Sequence, residues 1–130
     1  MDLILDTCAL LSLAGLARRK LSHETLVLIK GADRLTLSAC SLFEISLKHK
    51  RGGLQLEPFD SAQSFWNQAV KSYACEVLPV EAVDFSNAVE LPDHHADPFD
   101  RIILAQANRL NCPIVTYDRL FAAYGVKVIN

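Results

Sequence analysis

The sequence is short of positive charge. Its 13 Lys and Arg face 15 Asp and Glu, for a formal net charge of −2. It therefore lacks the overall basic signature of a protein that holds nucleic acid by charge alone. A cluster of acids neutralised by a bound cation would weaken that objection. Long apolar runs are also missing. No stretch approaches the ~20 apolar residues of a membrane span, so no membrane association is expected. Cysteine is sparse and unpatterned. Cys8, Cys40, Cys75 and Cys112 form no CxxC pair and no Cys/His spacing suited to zinc. Small buried thiols in a reducing compartment are expected instead. Met1-Asp2-Leu3 carries none of the basic residues that begin a secretory signal, and a cytoplasmic location is expected. No repeat, linker or low-complexity segment interrupts the 130 residues, a length suited to one domain with a sizeable core.

What is present is an alternation of short apolar runs with amphipathic windows. Residues 3–5, 34–38, 76–80, 112–116 and 126–129 read as strands. Residues 8–14, 22–31, 42–51, 60–73 and 81–89 read as helices, with Trp66 as core packing. The clearest helix follows His95-Ala96-Asp97-Pro98-Phe99-Asp100-Arg101. Asp97 stands at the N-cap and Pro98 at the first helical position, where its missing N–H costs nothing. Phe99, Ile103, Ala107 and Leu110 mark its buried face, and Asn111 and Pro113 its end. Residues 121–124 form a short turn or helix. This alternation predicts an α/β fold of three layers, α/β/α, around a mostly parallel central sheet.

In such sheets ligands bind beyond the carboxyl ends of the strands. Asp6 ends the first predicted strand and Asp118 lies just past the fourth. Glu44 and Asp100 fall in the first turns of helices that start on the same edge. Each acid has a local explanation. Asp6 or Thr7 caps a helix, and Ser41 with Glu44 is spaced as a capping box. Glu44 and Lys48 form an i,i+4 pair, and Asp97 and Asp100 suit a helix N-terminus. Capping alone does not explain acids at the ends of strands far apart in sequence. Two bare carboxylates ~4 Å apart repel by about 4 kcal/mol at an effective dielectric of ~20. A cluster of four would take up protons or bind a cation. All-oxygen ligands suit Mg²⁺ or Mn²⁺, and phosphodiester hydrolysis is the chemistry such ions support.

The neighbouring residues divide into supports and candidate contacts. The hydroxyls of Thr7, Ser41 and Thr116 can steady the carboxylates. Arg101 is expected to pair with an acid or to steer a phosphate, with structural pairing favoured. Lys48-His49-Lys50-Arg51 is the most basic stretch, and Lys48, Lys50 and Arg51 are candidate phosphate contacts or a cation-rich helix C-terminus. Arg18-Arg19-Lys20 reads as a solvated turn. His94 and His95 are adjacent, point different ways, and are expected to anchor a loop rather than ligate metal.

Four motifs carry a family resemblance. They are Leu5-Asp6-Thr7-Cys8-Ala9-Leu10-Leu11; Ser38 to Ile45 with Lys48 and Gly52-Gly53-Leu54; His95 to Arg101 with Ala105-Gln106-Ala107; and Val115-Thr116-Tyr117-Asp118-Arg119 with Phe121 and Tyr124-Gly125-Val126. In this order and at these separations they resemble the PIN-domain family, in particular the VapC-like toxin ribonucleases of toxin–antitoxin pairs. The resemblance spans nearly all of the chain and implies one PIN-like domain over residues 1–130. It implies an acidic metal site of Asp6, Glu44, Asp100 and Asp118, Mg²⁺ or Mn²⁺, and cleavage of single-stranded RNA regions. It also implies cytoplasmic homodimers and a cognate antitoxin that inserts a segment, often with an Arg, among the acids. A receiver-like phosphotransfer domain would want adjacent acids after the first strand, but Thr7 follows Asp6. A dehalogenase-like site would want Asp where Cys8 stands. A non-catalytic PIN module would be expected to lack an acid, and none is missing. A housekeeping RNA-processing nuclease would share the same acids.

Overall fold

The computed structural model describes residues 1–130. Five strands form one sheet in the order β3-β2-β1-β4-β5. They are β1 Asp2–Leu5, β2 Arg34–Ser38, β3 Glu76–Leu78, β4 Ile114–Val115 and β5 Val128–Ile129. Every neighbouring pair is parallel, so the sheet is parallel throughout. Three strands are shorter than the apolar runs suggest. Pro79 has no N–H with which to continue β3, and Pro113 likewise withholds a donor at the start of β4. Gly125, at φ +77°, turns the chain before β5.

A parallel sheet needs cover on both faces, and the strand residues alternate accordingly. Leu3, Leu5, Leu35, Leu37 and Val115 enter one core, while Ile4 and Ile114 enter the other. The first core is closed by α1 Thr7–Leu13, α2 His23–Lys30, α3 Ala39–Lys50 and α4 Ala62–Ser72, and it includes the expected Trp66. The second is closed by α6 Pro98–Leu110 and a 3-10 turn at Arg119–Tyr124, with α5 Ala82–Glu90 packed along α6.

This topology creates one special place. From β1 the chain steps outward to β2 and β3, then returns across the sheet to place β4 against the other side of β1. Connections leave in opposite directions there, opening a crevice at the carboxyl ends of β1 and β4. The two strand ends are tied directly. The Ile4 N–H donates to the Pro113 carbonyl at 2.9 Å, and the Asp6 N–H donates to the Val115 carbonyl at 3.1 Å.

One helix start differs from expectation. The cap of α3 is Ser38, whose Oγ accepts the Cys40 N–H at 3.2 Å, so the helix begins at Ala39. Ser41 is therefore a buried helical residue, with no capping box to Glu44, and Glu44 falls in the second turn. The expected cap at Asp97 is present: its Oδ1 accepts the N–H groups of Phe99 at 2.8 Å and Asp100 at 3.2 Å. Asn111 closes α6 in the left-handed region, φ +49°.

Phe65 of α4 is fully enclosed in the first core. Phe65→Ala should lower the unfolding free energy by about 3–5 kcal/mol, read as a lower urea midpoint with an unchanged slope.

Candidate active site

The crevice collects carboxylates at two levels, a buried floor and a partly exposed rim. Asp6 and Glu44 form its floor, both buried. Asp100 and Asp118 rise to the rim, with side chains 18% and 33% exposed. Asp6 caps α1, its Oδ1 accepting the Ala9 N–H at 2.7 Å. Asp118 caps the 3-10 turn, its Oδ1 accepting the Leu120 N–H at 2.9 Å. Asp100 lies in the first turn of α6. These three acids thus face helical N-termini, whose exposed N–H groups favour negative charge. Glu44, one turn further into its helix, takes the Lys48 ammonium on Oε2 instead. Its Oε1 is buried with no partner. An unpaired buried carboxylate oxygen is costly and is the kind of atom a cation satisfies.

The acids feel one another. Burial, then the Asp97, Asp6, Glu44 and Asp118 charges, pushes Asp100 up to about 8. Burial is the leading cause at Asp6 too; with Glu44 and Asp118 it pushes the carboxyl up to about 6, against opposing help from the Thr116 hydroxyl and the Ala9 N–H. The structure thus brings all four predicted acids into one electrostatic neighbourhood. The tightest group, however, is not the expected one. His95, Asp100 and Asp118 each place a ligand-type atom within 4.8 Å of the others.

His95 has two jobs. Its Nδ1 accepts the Asp97 N–H at 3.1 Å, which is the loop anchoring that was expected. That bond leaves the ring proton on Nε2, which points at Asp118 Oδ2 at 2.6 Å and Asp100 Oδ2 at 3.1 Å. The adjacency of His94 and His95 predicts the anchor but not the contacts of Nε2 with Asp118 and Asp100. A readable signal existed. A histidine two residues before an N-cap can accept the cap residue's N–H, and its far nitrogen then faces the first turn, where Asp100 sits.

The supporting residues divide. Thr116 is fully buried; its Oγ1 accepts the Asp118 N–H at 3.0 Å and its hydroxyl stands beside Asp6. The Thr7 hydroxyl donates to Ser41 Oγ at 2.9 Å, joining α1 to α3 beneath the acids. Lys48 reaches the site through Glu44. Lys50 and Arg51 are exposed at the end of α3, about 9–10 Å further along the helix, and do not join it. Arg101 does not pair with an acid. It donates to the carbonyls of Ala88, Val89, Leu91, Pro92 and His95 at 2.6–3.3 Å. Those carbonyls belong to the last turn of α5 and the loop after it, where helical oxygens lack partners. A hollow of about 600 Å³ lies at the other end of the strands and contains none of the four acids.

The raised carboxyls set a pH dependence. Above about pH 4 the folded metal-free chain keeps a proton on Asp6 up to about pH 6 and on Asp100 up to about pH 8, protons that the unfolded chain has released. Stability from this source is fully present below about pH 4 and is lost as pH rises towards 8. The melting temperature without metal should therefore fall between pH 5 and 8, and Asp100→Asn should remove most of that fall.

Residues 3–127 match the PIN domain family. No curated protein matches by sequence. Several solved structures share the fold. VapBC2 from Rickettsia felis, bound to a fragment of its promoter DNA, contains a chain 16% identical, with TM-score 0.71 over 100% of this chain and 98% of that one. FitAcB from Neisseria gonorrhoeae gives 18% identity and TM-score 0.67 over 98% and 96% of the two chains. The Mycobacterium tuberculosis toxin VapC20, described as cleaving the sarcin-ricin loop, gives 20% and 0.63 over 95% of each chain. At these identities the likeness concerns the fold, and the acid-lined crevice at the β1–β4 switch lies within the matched residues. By fold and by family match, the chain belongs to the PIN domain family.

Proposed function

We propose that this protein is a metal-dependent endoribonuclease acting as the toxin of a toxin–antitoxin pair. The observation that carries the reading is the buried Glu44 Oε1, without a partner, in a crevice shared with Asp6, Asp100 and Asp118. Carboxylates buried and crowded enough to lift Asp100 to about 8 fit a divalent cation. Because the His95 Nε2 is committed as a donor, the ligands on offer are oxygens. That donor set suits Mg²⁺ or Mn²⁺ rather than zinc. Asp6, Glu44, Asp100 and Asp118 would hold the ion, which when bound offsets phosphate charge and activates water for phosphodiester hydrolysis.

The chain's own residues do the rest. Lys48 holds one Glu44 oxygen and leaves the other facing the crevice. His95 donates between Asp100 and Asp118 and keeps the rim acids together while no cation is present. Thr116 links the floor acid to the rim acid. Single-stranded RNA is the proposed substrate, because the crevice is open at its rim and the relative VapC20 is described as cleaving an RNA loop. A cognate antitoxin is the proposed partner, since the matched VapBC and FitAB structures are complexes of such pairs. A homodimer is proposed across the apolar hollow of about 420 Å³ lined by Cys40, Phe43, Val80, Phe85, Phe99 and Ile102. Phe43 and Phe85 are 63% and 53% exposed there, a liability for a lone subunit. No helix is long and apolar enough to cross a membrane.

The decisive assay uses protein purified free of any partner and a panel of structured RNAs. Cutting should require Mg²⁺ or Mn²⁺, stop with EDTA, and fall more than about 100-fold in Asp6→Asn and Asp100→Asn. Asp97→Ala should retain most of the activity and lose about 1 kcal/mol of stability, the cost of a cap. RNA binding without metal-dependent cutting would replace this reading with a binding module. Induced expression should arrest growth, and co-expression of the neighbouring reading frame should relieve the arrest. Cutting without growth arrest would indicate a processing nuclease.

A further inference from the structure

Two adjacent histidines lead into α6, and one of them reaches the acids. His94 packs edge-on against the Tyr124 ring, with centroids 5.3 Å apart. His95 is held on three sides. Its carbonyl accepts from Arg101 Nη1 at 2.9 Å, its Nδ1 accepts the Asp97 N–H at 3.1 Å, and its ring meets the fully buried Phe121 edge-on at 5.7 Å. The fourth side is Nε2, which lies 2.6 Å from Asp118 Oδ2 and 3.1 Å from Asp100 Oδ2. Turning the ring away would leave the Asp97 N–H without its acceptor. The two acids depend on this nitrogen unequally. Asp118 is fixed at both oxygens, because its Oδ1 also accepts the Leu120 N–H at 2.9 Å. The Asp100 carboxylate has no other hydrogen-bond partner, so Nε2 alone holds it against the repulsion of its neighbours.

We propose that His95 is a positioning residue that presets the metal site: its Nε2–H gathers one oxygen from Asp100 and one from Asp118, and so sets the affinity of the crevice for a divalent cation. Three observations support the assignment. The two oxygens and the ring nitrogen lie within 4.8 Å of one another, although the carboxylates come from different elements and repel. The ring is locked by Arg101, the Asp97 N–H and Phe121, so the ordering of Asp100 is complete once the chain has folded and is not left to the cation. The ring is also barred from being a ligand itself. A cation on Nε2 would require the ring proton on Nδ1, where it would meet the Asp97 N–H donor to donor. The role needs a directed N–H and no charge. A donor one bond beyond a metal ligand commonly governs affinity in this way.

The proposal rests on the metal-dependent reading, and the experiment separates the two. Binding of Mn²⁺ is followed by titration calorimetry with no RNA present, for wild type, His95→Asn and His95→Gln, alongside the melting temperature of each. The two variants divide the two ring nitrogens between them. Asn keeps an acceptor where Nδ1 stands and removes the donor to the acids. Gln reaches the acids with an N–H and removes the acceptor of the Asp97 N–H. His95→Asn should weaken Mn²⁺ binding about 10- to 100-fold, and His95→Gln should bind within about 3-fold of wild type. His95→Gln should nevertheless melt about 3–6 °C below wild type, because it gives up the anchor. With RNA present, His95→Asn should recover kcat to within about 3-fold of wild type once Mn²⁺ is raised to saturation. Unchanged Mn²⁺ affinity in His95→Asn would overturn the proposal, as would an affinity that follows the melting temperature through both variants, which would make His95 a loop anchor only. A kcat that stays low at saturating Mn²⁺ would overturn it in favour of a direct part for the ring in the chemistry. If wild type binds Mn²⁺ but never cuts, the nuclease reading fails alone and the calorimetry still decides the role of His95. If wild type binds no Mn²⁺, both fall.

Discussion

Repulsion among carboxylates is the constraint around which this molecule is arranged. Four acids share one crevice, and burial together with their mutual charge holds Asp100 well above the usual carboxylate range. Most sheet edges could not tolerate this. Here the α/β design brings strand ends and helix starts to the same edge, so most of the acids meet the partial positive charge of a helical N-terminus. Asp6 heads α1, Asp100 lies in the first turn of α6, and Asp118 heads the 3-10 turn. Glu44 lacks that help and has the Lys48 ammonium in its place. What remains uncompensated is one oxygen of Glu44, at the floor.

Much of this was legible in the chain itself, because capping and strand endings are local. Asp97-Pro98 can be read as a helix start without knowing the rest of the molecule, and the structure has that cap. Short apolar runs ending in Asp6 and leading to Asp118 point to the carboxyl edge of a sheet. The start of α3 was less readable. Ser38 and Ser41 are both plausible caps, and the choice depends on β2 continuing to Ser38 and on Ser41 meeting Thr7, 34 residues away. Contacts at that separation leave no periodic trace.

Arg101 and His95 show the same limit in another form. The residue types say that each will be bonded, but the partners are set by tertiary approach. Arg101 was expected to meet an acid. Instead it gathers carbonyls from the end of α5 through the loop that leads to His95. One guanidinium therefore fixes the approach to α6, and with it the ring whose Nε2 lies between Asp118 and Asp100. The loop that joins α5 to α6 is thus tied by side chains on both sides, Arg101 from α6 and Tyr124 from the 3-10 turn.

The order of the strands has a consequence in time. β1 and β4 are neighbours in the sheet, but more than 100 residues separate them in the chain. The crevice straddles that seam, with Asp6 and Glu44 from the early part of the sequence and Asp100 and Asp118 from the late part. A ribosome making this protein releases the two halves of the acid cluster at different moments. Until residue 118 has emerged and β4 has docked on β1, the early acids have no partners across the seam. A chain that has not yet released β4 is therefore electrostatically relaxed, and the crowded crevice comes into being only once β4 has docked on β1.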